Sequence, residues 1–99
     1  MSNRTRVVIT GMGALTPLGL TFRDTWENLL AGKSGIGPIR RFDAADLPTR
    51  IAGELKNFEP TDYIPPKDAR RMARCSQLAV AAARDALIDA QLPIPVSDG

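Results

Sequence analysis

The chain has 99 residues, of which 43% are hydrophobic and 24% charged, an ordinary composition for a folded domain that argues against disorder. Its 13 basic and 11 acidic residues leave a net charge of +2, which is too small to indicate a nucleic-acid-binding protein. With no histidine and one cysteine, the chain alone can form neither a histidine-based catalytic or zinc site nor an internal disulfide.

An apolar, β-branched run near the N-terminus predicts the first element. Val7, Val8 and Ile9 are consecutive, which favours a strand over residues 6–10 that is buried on both faces. Strands of this kind occur in sheets that are covered by helices, so the run indicates an α/β fold.

The glycine-rich loop after this strand contains a candidate nucleotide-binding motif. Gly11 and Gly13 match the start of the G-x-G-x-x-G fingerprint, but the third position is Thr16. Pro17 and Gly19 then delay the next helix, whereas a phosphate-binding loop opens directly into one. We therefore interpret Gly11, Gly13, Pro17 and Gly19 as residues of a structural turn, and we expect no nucleotide cofactor.

A helix and a short strand are the next predicted elements. Thr21 is a favourable N-cap and Gly32 is a natural C-terminal stop for the helix between them. The apolar side chains of this helix follow one face: Phe22, Trp26, Leu29 and Leu30. Residues 33–48 are irregular, and residues 50–55 are predicted to form a short strand.

The clearest helical periodicity covers residues 67–91. Apolar side chains, many of them alanines, recur at i, i+3 and i+4, so that another element can approach this face closely. The first turn or two, through Arg71, could form a separate short helix. Cys75 lies on the apolar face and is expected to be buried and inert, because the chain has no histidine to activate it.

Basic residues are concentrated at the start of this helical stretch. They are Lys67, Arg70, Arg71 and Arg74, and Asp68 offsets them only in part. Positive charge at a helix N-terminus is mildly unfavourable, so an acidic partner is the simplest compensating gain. A solvated helix surface is the alternative interpretation of the same charges.

The order of the segments resembles the N-terminal part of a known family. RVVITGMGALTPLG is followed by TWENLLAGKSGI, RRFDAADLPTRIAGELKNF and KDARRMARCSQLAVAAARDAL. This order resembles the β-ketoacyl-acyl-carrier-protein synthases, particularly the synthase II type of bacterial fatty acid synthesis, over nearly the whole chain. The resemblance implies a thiolase-like layered α/β/α/β/α fold, of which residues 1–99 would be an incomplete N-terminal half.

The resemblance implies an acyltransferase of fatty acid biosynthesis. Family members move an acyl chain from carrier protein to a catalytic cysteine, decarboxylate malonyl-carrier protein, and condense the carbanion with the acyl group. The catalytic cysteine and two histidines of the family lie downstream of the matched region. No residue of this chain is therefore expected to be catalytic, Cys75 included, and the segment alone is expected to be inactive. No cofactor and no metal are implied.

The resemblance also implies a partner. Synthases of this type use basic residues at the start of the second helix to dock the acidic acyl carrier protein, and Lys67, Arg70 and Arg71 match those positions. Arg74 lies outside the matched set. A homodimer is expected because the family is typically dimeric. The chain has no run long enough to cross a bilayer and no signal-peptide cleavage site, so a cytoplasmic location is expected.

Three other interpretations remain open at this point. A polyketide ketosynthase or a non-catalytic chain-length subunit would share the architecture and differ at the downstream nucleophile position. A small non-enzymatic module would use only its basic helix to bind an acidic partner. A nucleotide-binding domain is the third interpretation, and the incomplete glycine fingerprint argues against it.

Overall fold

The computed structural model describes residues 4–93 of the chain. The elements, in chain order, are α1 (Phe22–Leu30), β1 (Ile36–Pro38), β2 (Ile51–Gly53), a 3-10 helix (Pro60–Asp62), α2 (Pro66–Ala69) and α3 (Arg74–Asp89). Strands β1 and β2 pair antiparallel, with Gly37 opposite Ala52. Within residues 4–93, no helix is both long enough and apolar enough to cross a membrane.

Helix α1 has the ends that its sequence predicts. The Thr21 hydroxyl accepts a hydrogen bond of 3.0 Å from the backbone N–H of Asp24, which satisfies a donor that the helix leaves free. Gly32 ends the helix with a φ of +72°, a conformation that glycine adopts without steric cost. The Asn28 side chain donates to the Leu18 carbonyl at 2.6 Å and ties the helix to the loop before it.

The glycine-rich loop lies directly on helix α3. A Cβ atom added to Gly11 would come within 2.7 Å of the Ala90 Cβ atom. One added to Gly13 would come within 2.9 Å of the Ala86 nitrogen. Since real Cβ atoms almost never make contacts this short, only glycine lets the loop backbone reach the helix here. The residues that meet the two glycines are Ala82 and Ala86 of α3 and Ala90, which caps its C-terminal end.

The chain reverses a few residues later, in a tight turn. Thr16 and Gly19 exchange two backbone hydrogen bonds of 2.9 and 3.1 Å across Pro17, whose fixed φ suits the second position of a turn. A Cβ atom added to Gly35 would come within 2.6 Å of the Pro17 Cβ atom. The turn therefore packs against the chain just before β1.

The strand predicted over residues 6–10, buried on both faces, is not present. No strand is assigned there, and Val7, Val8 and Ile9 are 90%, 68% and 82% exposed. A strand requires a neighbour to hydrogen-bond, and the strands in the described part of the chain pair with each other at a different place. The prediction is therefore wrong for residues 4–93, because the sequence pattern indicates burial without supplying the neighbour.

Strand β2 confirms the short strand predicted over residues 50–55, whereas β1 was missed. The residues of β1 are Ile-Gly-Pro, and glycine and proline are typical of loops. The pairing continues one residue beyond the strands, where the Ile39 N–H donates to the Arg50 carbonyl at 2.9 Å. Pairing with β2, rather than local propensity, makes these residues a strand.

The helical stretch predicted over residues 67–91 is divided in two. Helix α2 ends at Ala69 and α3 begins at Arg74, which confirms a separate short helix before the long one. Pro66 occupies the first turn of α2, a position that proline tolerates because its missing N–H would have no helical partner. Neither helix has a side-chain N-cap hydrogen bond.

Few side chains of residues 4–93 are buried. The hydrophobic residues that are buried are Ala44, Ile64, Ala69 and Ala81, whereas the apolar face of α1 is exposed. The radius of gyration is 17.4 Å, compared with about 13 Å for a compact domain of 100 residues. The accessible surface is 8075 Å², compared with about 5,500 Å² for a compact protein of this mass. The chain thus presents apolar surface instead of enclosing it.

Candidate functional site

The basic residues singled out from the sequence lie at a corner formed by the 3-10 helix, α2 and the start of α3. The 3-10 helix contacts both α2 and α3. Ile64, which joins the 3-10 helix to α2, is buried, and so is Ala69 at the end of α2. These small buried contacts hold the corner together and place the charged side chains of α2 on its outer surface.

A side-chain hydrogen bond joins α2 to α3. Gln77 Nε2, in the first turn of α3, donates to the Ala69 carbonyl at 2.9 Å, and the bond is partly buried. The same carbonyl accepts the Met72 N–H at 3.2 Å. A carbonyl that a helix end leaves without a standard helical partner is therefore satisfied from two sides.

Arg74 is held on an aromatic pair at the same corner. Its guanidinium lies 5.0 Å from the centre of the Phe58 ring, and Phe58 stacks on Tyr63 at 5.8 Å. A cation over an aromatic face gains about 0.5–1 kcal/mol at an exposed position. Arg74 is thus engaged within the chain, which separates it from the other three basic residues.

Lys67, Arg70 and Arg71 are exposed and belong to one short segment that consists of α2 and the turn after it. None of the three side chains forms an ion pair or hydrogen bond with another residue in the described part of the chain. We call these three residues the basic triplet. Asp68 lies among them but is not within ion-pair distance of any of them.

The division of the helix changes the electrostatic argument made from the sequence. Arg70 caps the C-terminal end of α2 and Arg71 follows it, where a positive charge is favourable to the helix dipole. In one continuous helix, the same charges would lie at the unfavourable start. The inferred electrostatic cost is therefore removed for Arg70 and Arg71, whereas Lys67 and Arg74 still lie at the starts of α2 and α3.

Two acidic groups near the corner are perturbed. Burial raises the pKa of the Tyr63 hydroxyl, and the carboxylates of Asp85 and Asp62 raise it further. Burial also raises the pKa of the Asp85 carboxyl, and Arg84 partly opposes that shift. No cluster of three metal-ligating side chains occurs among residues 4–93.

The structure corrects the prediction for Cys75. The side chain is exposed, not buried, because α3 begins at Arg74 and Cys75 falls in its first turn. The part of α3 that meets the glycine-rich loop lies further along, from Ala82 to the C-cap residue Ala90. Exposure alone does not make a thiol catalytic, and the chain has no histidine that could activate it.

The residues of the glycine-rich loop lie in two different environments. Pro17 and Gly19 belong to the tight turn, as their types suggest. Gly11 and Gly13 instead lie against α3, and Gly32 is the glycine with positive φ in the described part of the chain. The sequence could have indicated this contact, because the small residues of the loop and the alanines of α3 are complementary in size.

The family of the chain follows from comparison with known proteins. Residues 4–98 match the family model described as "Beta-ketoacyl synthase, N-terminal domain". This range includes every helix and strand described above. The chain therefore belongs to the β-ketoacyl synthase family, and it contains part of the thiolase-like fold.

Individual relatives agree with this assignment. Over 94 residues, or 95% of this chain and 23% of the relative, the chain is 54% identical to 3-oxoacyl-(acyl-carrier-protein) synthase 2 of Staphylococcus aureus strain COL. A protein of the same name from Synechocystis sp. is 49% identical over 90% of this chain and 21% of the relative. The chain thus spans less than a quarter of the length of these relatives.

A solved structure gives the same result for the fold. The structure titled "The ishigamide ketosynthase/chain length factor" superimposes with a TM-score of 0.76 and 38% sequence identity. The superposition covers 89% of this chain and 22% of that chain.

Proposed function

We propose that the chain is the N-terminal segment of a β-ketoacyl-acyl-carrier-protein synthase of fatty acid biosynthesis. Such an enzyme decarboxylates malonyl-carrier protein and condenses the product with an acyl thioester. The observation that carries the proposal is the family match over residues 4–98, with relatives named as 3-oxoacyl-(acyl-carrier-protein) synthases. The open reading frame tests it: a downstream cysteine followed by two histidines is expected, and their absence contradicts a catalytic enzyme.

In this enzyme, the segment supplies scaffold and a docking surface, not the reacting groups. The chemistry requires an activated thiolate and donors for a developing negative charge. The chain has no histidine, and its one cysteine lies in the first turn of α3, with Arg74 directed to Phe58. Condensation therefore depends on residues beyond this segment.

The basic triplet is proposed to dock the acidic acyl carrier protein. The three cations are exposed and have no ion-pair or hydrogen-bond partner among residues 4–93, and Gln77 ties their segment to α3, which supports this role. Charges at the edge of an interface mainly accelerate encounter and fix the relative orientation of the partners, and salt screens them. The triplet is thus expected to affect capture of the carrier protein more than the chemical step.

Charge reversal tests the docking role. Lys67→Glu, Arg70→Glu and Arg71→Glu, made singly in the full-length enzyme, should each lower kcat/KM with malonyl-carrier protein by about fivefold to thirtyfold, or about 1–2 kcal/mol. Turnover of a malonyl thioester of N-acetylcysteamine, which lacks the carrier protein, should be unchanged. The measurement is steady-state condensation with each substrate at low and moderate salt.

Arg84→Glu is the matched control, because Arg84 is exposed, lies on α3 and is outside the triplet. The control makes the same change in net charge and should leave both substrates unaffected. If the triplet variants impair the small thioester as much as the carrier-protein substrate, or if Arg84→Glu has the same effect, docking by the triplet is refuted.

A polyketide ketosynthase or a chain-length subunit is the second candidate. The structural neighbour with a TM-score of 0.76 has a title that names a ketosynthase and a chain length factor, and this favours the candidate. Both candidates share the fold of this segment, so the distinction lies at the downstream nucleophile. A cysteine there supports a condensing enzyme, whereas another residue type supports a non-catalytic chain-length subunit.

We also infer that the full-length protein is a cytoplasmic homodimer. The exposed apolar face of α1 and the exposed residues Val7–Ile9 require a cover, from the rest of the enzyme or from a second subunit. Sedimentation of the full-length protein tests the dimer.

A small non-enzymatic module is the remaining alternative, and it would bind the acidic partner but show no condensation activity with either substrate.

A further inference from the structure

Helix α2 cannot hold its own orientation. It has four residues and no side-chain N-cap hydrogen bond. Because the first turn of a helix costs more conformational entropy than its hydrogen bonds return, so short a helix is not stable by itself. Its direction relative to α3 must come from contacts outside the helix.

The polar contact between α2 and α3 is the Gln77–Ala69 hydrogen bond. The backbone bonds around the junction are local, for example from the Arg71 N–H to the Asp68 carbonyl at 3.0 Å. Such bonds stabilise the turn, but they do not connect it to the body of α3. Gln77 reaches back eight residues, over 2.9 Å, to the last carbonyl of α2.

The carbonyl that Gln77 binds is adjacent to the basic triplet. Ala69 is buried, and the next two residues along the chain are Arg70 and Arg71. The end of α2 that Gln77 fixes is therefore the end from which two of the three docking charges project. A rotation of this end would change the direction of both charges together.

We propose that Gln77 is a positioning residue for carrier-protein docking, and that its hydrogen bond to Ala69 sets the orientation of Arg70 and Arg71. The inference rests on the proposed docking function of the basic triplet. Without the bond, the charges would sample more orientations, and an acidic partner would have to select the productive one. Capture of the carrier protein would weaken, while the chemical step would not change.

Gln77→Met tests the proposal, because methionine has a similar length and cannot donate. In the full-length enzyme, KM for malonyl-carrier protein should rise about threefold to tenfold, the usual consequence of losing one hydrogen bond, with kcat unchanged. Kinetics with the N-acetylcysteamine thioester should stay the same. Gln77→Glu, which keeps the length but places an acceptor against the carbonyl, should reproduce the loss. Ser76→Ala, at an exposed neighbouring position, is the control.

A double-mutant cycle separates positioning from a merely structural role. In the Arg70→Glu background, Gln77→Met should raise KM for malonyl-carrier protein by less than half the factor that it causes in the otherwise unchanged enzyme. The reason is that Gln77 acts through the charge of Arg70. Four outcomes would overturn the inference. They are fully additive effects of the two substitutions on KM, an equal loss with the small thioester, an unchanged KM in both Gln77 variants, and failure of both variants to fold. If Arg70→Glu itself shows no selectivity for carrier-protein substrates, the proposed docking function fails. If only the Gln77 variants are silent, the positioning role fails alone.

Discussion

Side chains of the smallest size decide how the N-terminal loop meets α3. Gly11 and Gly13 have no Cβ atom, and the atoms that face them are mostly backbone atoms of Ala82, Ala86 and Ala90. The two backbones approach closely here, so the contact depends on a close fit. Overpacking a close-fitting contact commonly costs about 1–3 kcal/mol.

Gly13→Ala is therefore expected to destabilise the full-length enzyme. The added methyl group would meet the Ala82 carbonyl and come within 2.9 Å of the Ala86 nitrogen, and neither backbone atom can move cheaply. We expect the free energy of unfolding to fall by about 1–3 kcal/mol, measured by urea denaturation. Gly37→Ala is the control, because nothing lies within 4 Å of an added Cβ atom there. Equal stability of the two variants would contradict the close contact.

Local sequence signals define some elements fully and leave others undetermined. The sequence marks both ends of helix α1, since the Thr21 hydroxyl accepts the Asp24 N–H at the start and Gly32 adopts a positive φ after the end. Strand β1 has no such signal, because it exists only through pairing with β2. An element with its own caps is predictable from the sequence, whereas one made by its neighbour is not.

The cap of α1 provides a prediction about this element. Thr21→Ala removes the acceptor for the Asp24 N–H and should lower the free energy of unfolding by about 1 kcal/mol. Thr21→Ser keeps a hydroxyl in the same place and should retain most of the stability. Thermal unfolding of the full-length protein measures both changes. A serine variant as unstable as the alanine variant would show that the methyl group of Thr21 matters, not the cap.

The sequence singled out the members of the basic triplet, whose docking role stays a prediction, but it did not give their arrangement. The types and spacing of Lys67, Arg70 and Arg71 marked them as a set, through the family resemblance. The break between α2 and α3 was foreseen only as an option, and the Gln77 contact was missed, because both depend on the angle between two helices. The prediction that Cys75 is buried was wrong for a different reason, because an apolar position in a pattern is buried only where another element covers it.

At the scale of the whole molecule, residues 4–93 expose most of their large apolar side chains and bury few residues. The chain extends over 62 × 37 × 21 Å, and its N-terminal apolar run lies open to solvent. In a monomer with this structure, the amides of Val7, Val8 and Ile9 have no strand to protect them. Apolar surface of this extent is expected to attract other chains or dyes.

Residues 1–99 expressed alone should therefore associate or bind an apolar dye. The amides of residues 7–9 should exchange within seconds at neutral pH, because local opening there costs almost no free energy. Hydrogen exchange with mass spectrometry, combined with sedimentation, measures both properties. Strong protection of these amides in a monomeric sample would contradict the structural account.

The contact of the glycine-rich loop with α3 also sets a register. Gly11 meets Ala86 and Ala90, and Gly13 meets Ala82 and Ala86, so the loop runs against the direction of the helix. Two residues of extended chain advance about 7 Å, close to the rise of about 6 Å over four helical residues. Two residues of the loop therefore advance by nearly the same distance as four residues of α3. A shift of one residue would place the Met12 side chain in the contact between the loop and α3. The position along α3 at which the chain passes from residues 7–9 into the loop is therefore fixed.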